Sequence, residues 1–202
     1  MTLRKITISL VLAATIACPG QSIGQVDPFW LKSWHEAVRH RPQRMGSQAR
    51  IAPADEPGTP LTVHGRVVAP DGETPAPGVV VHAYHRDRDG LDFGPGDHSL
   101  STWRLQGWAL TDHEGRFRFD TIRPAADAMG RDGAHIHFTL ESPDAGRQWA
   151  PIVYLADDPR VGERERVRSA KAGRFGWVRQ VERVGDAQQM DVWIRLKPAG
   201  EF

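Results

Sequence analysis

From Leu61 onward the apolar residues come in short runs separated by turn-forming residues. "LTVHGRVVA" is followed by the turn "PDGETPAPG", then by "VVVHAYH" and a long polar loop. "RLQGWALT", the turn "DHEG" and "RFRFDTI" come next. The loop "RPAADAMGRDG" leads into "AHIHFTLE" and then "PIVYLA". "WVRQVERV", "GDAQ" and "QMDVWIRL" close the series. Short runs at this spacing predict an all-β, antiparallel sandwich or barrel. Side chains alternate between the faces of a strand, so "GAHIHFTLE" divides sharply. Ile136, Phe138 and Leu140 share a core face, and His135, His137, Thr139 and Glu141 share the other.

The pattern before Leu61 differs. In "VDPFWLKSWHEAVRHRPQRM", Asp27 suits an N-cap and Pro28 a first helical position. Trp30 or Leu31, Trp34 and Val38 fall on one face, which predicts a short amphipathic helix over 28–40. Its stripe packs on the domain or on a second subunit, the latter giving a homodimer. Residues 42–60 lack a period and read as a linker. At the start, Arg4 and Lys5 precede an apolar run from Ile6 to Ala17, with Ser22 and Gly24 at a small-x-small site. This predicts a signal peptide over 1–24, too short in its apolar run to span a membrane. The expected location is periplasmic or secreted, with a lipoprotein anchored through Cys18 as the alternative. The organisation expected is therefore 1–24 signal peptide, 25–60 helix and linker, and 61–202 sandwich.

Composition narrows the chemistry. The chain has 202 residues, 40% hydrophobic and 25% charged, with a net charge of +1. Nothing in that balance points to a nucleic-acid or acidic-lipid partner. Cys18 is the only cysteine, so a chain cleaved before Gln25 holds any metal through N and O ligands alone. His135 and His137 lie two strand positions apart, about 6–7 Å between Cα atoms, close enough to reach one ion. They also read as two satisfied or solvent-facing histidines. His85, His98 and His113 read as surface histidines at strand ends or turns, and "DRDGLD" as a polar turn.

The ordered series "VHGRVVAPDGETPAPGVVVHAYHRD", "GWALTDHEGRFRFDTIRP", "AHIHFTLE", "IVYLADDP" and "MDVWIRL" resembles the intradiol ring-cleavage dioxygenases over roughly residues 61–197. The resemblance implies a β-sandwich with a non-haem iron site at one end. It also implies opening of catechol-type rings between the hydroxyl-bearing carbons, with insertion of both atoms of O2. His135 and His137 match the family's two histidine ligands.

The departures are as specific. The family also holds Fe(III) through two tyrosinates, whose strong charge-transfer band colours typical members red. This chain has two tyrosines, Tyr84 and Tyr154, and neither matches a ligand position. Tyr84 matches a pocket-wall tryptophan and Tyr154 a structural aromatic. Asp92 falls at the first tyrosinate position, and Asp127 or Met129 at the second. The family's arginine before the histidines corresponds to Arg131, shifted by one, or is replaced by Asp132, and its glutamine is replaced by Ile152. Without both tyrosinates the family's usual route does not run as written.

Two histidines and a carboxylate, His135 and His137 with Asp92 or Asp127, make the facial set of non-haem Fe(II) oxygenases. The set also suits Zn, Mn or Cu. Tyr84, His82, Trp108 and Ile152 are expected in the substrate pocket, and Arg131 beside the substrate to stabilise negative charge. Two readings result. One is an exported iron-dependent dioxygenase-like protein acting on a small aromatic substrate with O2. The other is a non-catalytic periplasmic ligand-binding module on the same fold.

Overall fold

The computed structural model describes residues 26–93 and 102–202. The predicted signal peptide, Cys18 and His98 lie outside the described residues. The elements are α1 (Pro28–Arg39), β1 (Gln48–Arg50), β2 (Pro60–Val68), β3 (Val80–His85), β4 (Leu105–Leu110), β5 (Arg116–Ile122), β6 (His135–Ser142), β7 (Gly146–Trp149), β8 (Val153–Leu155), α2 (Glu163–Lys171), β9 (Val178–Arg179), β10 (Glu182–Val184) and β11 (Ala187–Arg195). One sheet runs β1-β5-β2-β11-β10. The other runs β4-β3-β6-β8-β9, with β7 also paired to β6. Most pairs are antiparallel, but β1 with β5, β11 with β2 and β8 with β9 are parallel.

Alternation sorts the core as the sequence predicts. Leu61, Val63 and Val67 of β2, Phe117 and Phe119 of β5, and Met190, Val192 and Ile194 of β11 point inward from the first sheet. Val81 and Ala83 of β3 and Ile136, Phe138 and Leu140 of β6 meet them from the second. Gly65 faces inward where the Phe117 ring lies against its strand. A Cβ there would sit 1.9 Å from that ring, so the aromatic fills the space a side chain would need.

The histidine face of the second sheet is covered as well. Val80 and Tyr84 of β3 and Trp108 of β4 form a second buried cluster with Trp34 and Ala37 of α1 and with Trp103. Trp30, Leu31, Val38 and Phe202 pack around it. The Asp27 carboxylate caps α1 by accepting the Phe29 N–H. The amphipathic stripe of α1 therefore packs on the chain's own sheet.

Three features depart from the expected organisation. The segment read as linker contributes β1, and it sends Ile51 and Ala52 into the main core. A strand of three residues is too short to announce itself by period. β7 escapes for a similar reason. "ERERVRSAK", read only as charged surface, forms α2, with Glu163 and Glu165 in its first turn and Arg168 and Lys171 in its last. Those signs match the helix dipole, and Arg166 ties the helix to the backbone carbonyls of Ala156, Asp158 and Val161.

Candidate metal centre

The entry to β6 is held firmly. Asp158 accepts the Ala134 N–H at 3.1 Å, and the Leu155 N–H donates to the Ala134 carbonyl at 3.0 Å. His135 then donates Nδ1–H to the Gly133 carbonyl at 2.6 Å. That bond leaves the lone pair on Nε2, which stands 3.0 Å from His137 Nε2. Two nitrogens each about 2.0–2.1 Å from one ion, at roughly a right angle, stand about 2.9 Å apart. The pair thus fits two adjacent ligands of one metal, and the Gly133 bond is the orienting contact a ligating imidazole needs.

Burial favours the form that binds metals. It lowers the pKa of His135, and it pushes His137 down to about 3, with the nearby His135 and Arg86 charges adding to the effect. Both rings are neutral at neutral pH, as ligation requires. The chain's two tyrosines flank the pair. Tyr84 stacks on His137 with ring centroids 4.6 Å apart, and Tyr154 lies 5.3 Å from His135. The Tyr84 hydroxyl accepts the Trp30 indole N–H at 2.8 Å, and burial raises its pKa well above the usual phenol value.

The two expected carboxylates reach the same end of the sandwich but are engaged elsewhere. Asp92 accepts from Arg86 Nε at 3.3 Å. Asp127 accepts the Met129 N–H at 2.9 Å and pairs with Arg131 at 3.2 Å, and the Met129 contact is the main reason its carboxyl titrates low. Among the described residues, no three His, Cys, Asp or Glu side chains gather as a metal-holding group. The metal fit therefore rests on the two histidines, with Asp132 and Asp92 the carboxylates whose charges act on His135.

The loops carrying these carboxylates pack together. Asp87 is buried, and its Oδ1 accepts from the Asp89 and Leu91 amides while its Oδ2 accepts from Arg104 at 3.0 Å. Arg104 also clamps Glu56 through two bonds of 2.8 Å. "DRDGLD" is thus a closed turn. Gly90, at φ +80, lies so close to the second loop that a Cβ would meet the Ala126 carbonyl at 2.4 Å.

Other expected residues fall differently. The Arg131 side chain is 67% exposed and turned to Asp127, because that carboxylate, anchored on Met129, holds it away from the histidines. His82, Tyr84 and Trp108 share a face as expected but stand packed beneath α1. Trp103 stacks on Tyr84 at 3.7 Å, and His82 stacks on Trp108 at 4.1 Å. Ile152, just before β8, is 37% exposed. His85, expected at the surface, is buried because it continues the inward face of Val81 and Ala83. Its Nδ1–H donates to the Arg86 carbonyl and its Nε2 accepts the Thr121 hydroxyl, both at 2.7 Å.

The residue that sequence reasoning missed is Arg86. Its Nη1 lies 3.4 Å from His135 Nε2. The signal was present in the alternation: Arg86 extends the face of His82 and Tyr84, and Tyr84 pairs with His137 in register. A groove of about 560 Å³, lined in part by His64, Arg66, Arg118 and Trp193, lies on the outer face of the first sheet, away from this centre.

Known proteins carry the same arrangement of strands. The dioxygenase domain of a dioxygenase–carbohydrate-binding fusion from Streptomyces sp. SirexAA-E superimposes with a TM-score of 0.57 at 21% identity, covering 78% of this chain and 92% of that one. Catechol 1,2-dioxygenase from Acinetobacter radioresistens gives a TM-score of 0.59 at 18% identity, covering 77% and 58%. In sequence, catechol 1,2-dioxygenase 1 of Acinetobacter lwoffii is 30% identical over 125 residues, which is 53% of this chain and 39% of the relative. Catechol 1,2-dioxygenase 2 of the same organism is 29% identical over 157 residues, 64% of this chain and 56% of the relative. The chain thus spans about half the length of these relatives. A family model described as Dioxygenase matches residues 38–198. With that match over most of the chain, and strands that bring His135 and His137 to a single point, the chain belongs to the intradiol ring-cleavage dioxygenase family.

Proposed function

We propose that this chain is an exported, metal-dependent dioxygenase-like protein that acts on a catechol-type or related small aromatic with O2. The observation that carries the reading is the 3.0 Å separation of the His135 and His137 Nε2 atoms in a buried, neutral pair. Iron is the metal the family implies, with Zn, Mn or Cu as alternatives for a set of nitrogen and oxygen ligands. His135 and His137 would hold it, with Asp132 and Asp92 the carboxylates within electrostatic reach of His135. Bound there, iron supplies the Lewis-acid and one-electron chemistry that joins an aromatic diol to O2.

The protein's own part is positional. Gly133 and Tyr84 fix the two imidazole planes. The partial exposure of Arg86 and Asp92 leaves that end of the pair reachable from solvent. Export is supported by the N-terminal pattern of charged start, apolar run and Ser22-x-Gly24 site.

The engagement of Asp92 and Asp127 by Arg86 and Arg131 supports a second reading, a non-catalytic ligand-binding module. Metal analysis decides between them. His135→Ala and His137→Ala should each abolish stoichiometric metal binding and remain folded, since Ile136 and Phe138 carry the packing. Wild-type protein should also consume O2 with some member of a panel of catechols and hydroxylated aromatics. If wild-type protein takes up no metal under aerobic or anaerobic loading, the binding-module reading replaces the enzyme.

A further inference from the structure

Arg86 places a positive charge where the histidine pair would receive its metal. Its backbone is fixed from the core side: buried His85 donates to the Arg86 carbonyl and is itself held by Thr121. From that anchor the side chain turns back over β6. Nη1 reaches His135 Nε2 at 3.4 Å, and Nε donates to Asp92 Oδ2 at 3.3 Å. A guanidinium has only donors, so its contact with His135 needs a lone pair on Nε2. The Nδ1–H bond to Gly133 puts one there. A metal would take that same lone pair. Asp92, one of the two carboxylates whose charges reach His135, is held by the same guanidinium. The Arg86 charge also acts on His137, Asp127, Tyr84 and Tyr154, which places it centrally among the groups of the site.

We propose that Arg86 is a built-in competitor for the metal, a displaceable cationic cap on the His135–His137 pair that also holds Asp92 back. This rests on the metal-binding reading of the pair. Loading a cation requires the guanidinium to leave His135 and Asp92 together, and its departure frees the Asp92 carboxylate to turn toward the ion. The side chain has room to leave, since it is 18% exposed and Asp92 is 32% exposed. Two like charges at this separation repel strongly at the dielectric of a partly buried site, so cap and metal exclude each other. The chain thereby gains a threshold, and only a cation that outcompetes the guanidinium enters.

The test is a Zn(II) titration of metal-depleted full-length protein by calorimetry, with thermal melts confirming folding. Arg86→Gln should bind Zn(II) at least about tenfold more tightly than wild type at the same stoichiometry. Arg86→Lys, which keeps a cation but loses the planar fork, should fall between the two and serves if the glutamine variant does not fold. Adding Asp92→Asn to Arg86→Gln should remove most of the gain. In 15N-labelled wild-type protein, the Arg86 Nε–H signal should shift with the same midpoint as Zn(II) binding. Wild-type protein that binds Zn(II) as tightly as Arg86→Gln, or more tightly, overturns the cap and leaves the metal reading intact. If neither protein binds Zn(II), the metal reading fails and the cap fails with it.

Discussion

The Tyr84 ring lies flat on His137, with 4° between the planes and 4.6 Å between centroids. The other face of Tyr84 meets Trp103 at 3.7 Å, and its hydroxyl accepts the Trp30 indole N–H. One side chain therefore ties α1 to His137. Tyr84→Phe keeps both stacks and strands one indole N–H, so it should cost about 1–2 kcal/mol and leave metal stoichiometry unchanged. Tyr84→Ala should cost about 3–5 kcal/mol and weaken metal binding by freeing the His137 ring. Urea melts and metal titrations on both variants check this. Metal loss in the phenylalanine variant equal to that in the alanine variant would mean the hydroxyl itself serves the metal.

The same geometry predicts a colour. Tyr84 gives its hydroxyl to Trp30 and resists ionisation, and burial also raises the pKa of Tyr154 beside Asp132 and Glu165. Neither is set to become a tyrosinate ligand. Protein loaded with Fe(III) should therefore lack the strong visible tyrosinate-to-iron band of typical family members. An absorption spectrum after loading decides it. A strong band that disappears in Tyr84→Phe or Tyr154→Phe would reverse the assignment.

How far the sequence could be read depended on period. β2, β3, β5 and β6 each repeat every second residue over a full strand, so their inward faces and the shared face of His135 and His137 were legible. β1 and β7 were not, because three or four residues carry no period. α2 was missed because its face is set by charge rather than by apolar residues. At the site, family motifs pointed to Asp92 and Asp127, which the structure pairs with Arg86 and Arg131. They carried no information about Arg86, because the motif has no cation there and a guanidinium's target depends on three-dimensional reach. Arg131 shows the opposite case: the motif suggested a role beside the substrate, and in the structure its side chain is turned to Asp127.

Gly90 and Gly78 form a matched pair for testing the loop contact. Both have left-handed backbones, at φ +80 and +70. A Cβ at Gly78 meets nothing within 4 Å, whereas one at Gly90 meets the Ala126 carbonyl at 2.4 Å and the Ala128 nitrogen at 2.8 Å. Gly78→Ala should cost only the conformational penalty, about 1 kcal/mol. Gly90→Ala adds a clash with fixed backbone, and should cost at least about 2 kcal/mol more. It should also lower metal affinity by shifting the loop that carries Asp92. Denaturation midpoints and metal titrations read both effects. Equal losses at the two glycines would mean that the loops do not depend on each other's position.

Acid stability should be governed first by buried neutral histidines. Burial pushes His82 and His85 each down to about 4, whereas in the unfolded chain each titrates near its ordinary value of about 6.5. Below that value the unfolded chain takes up protons that the folded chain refuses, so stability falls with pH from about 6.5 down to about 4. By pH 5 the loss is about 2 kcal/mol per histidine, at about 1.4 kcal/mol per pKa unit. Carboxylates do not mask this window, since Arg104 holds Glu56 low and backbone amides hold Asp112 and Asp127 low. His82→Gln retains a donor for Gln106, which His82 reaches at 2.9 Å, while removing the titration. Urea midpoints at pH 7 and pH 5 should therefore differ by about 2 kcal/mol less in His82→Gln than in wild type, whatever the variant's own cost at pH 7. An unchanged difference would mean that His82 is protonated in the folded protein and that acid unfolding begins elsewhere.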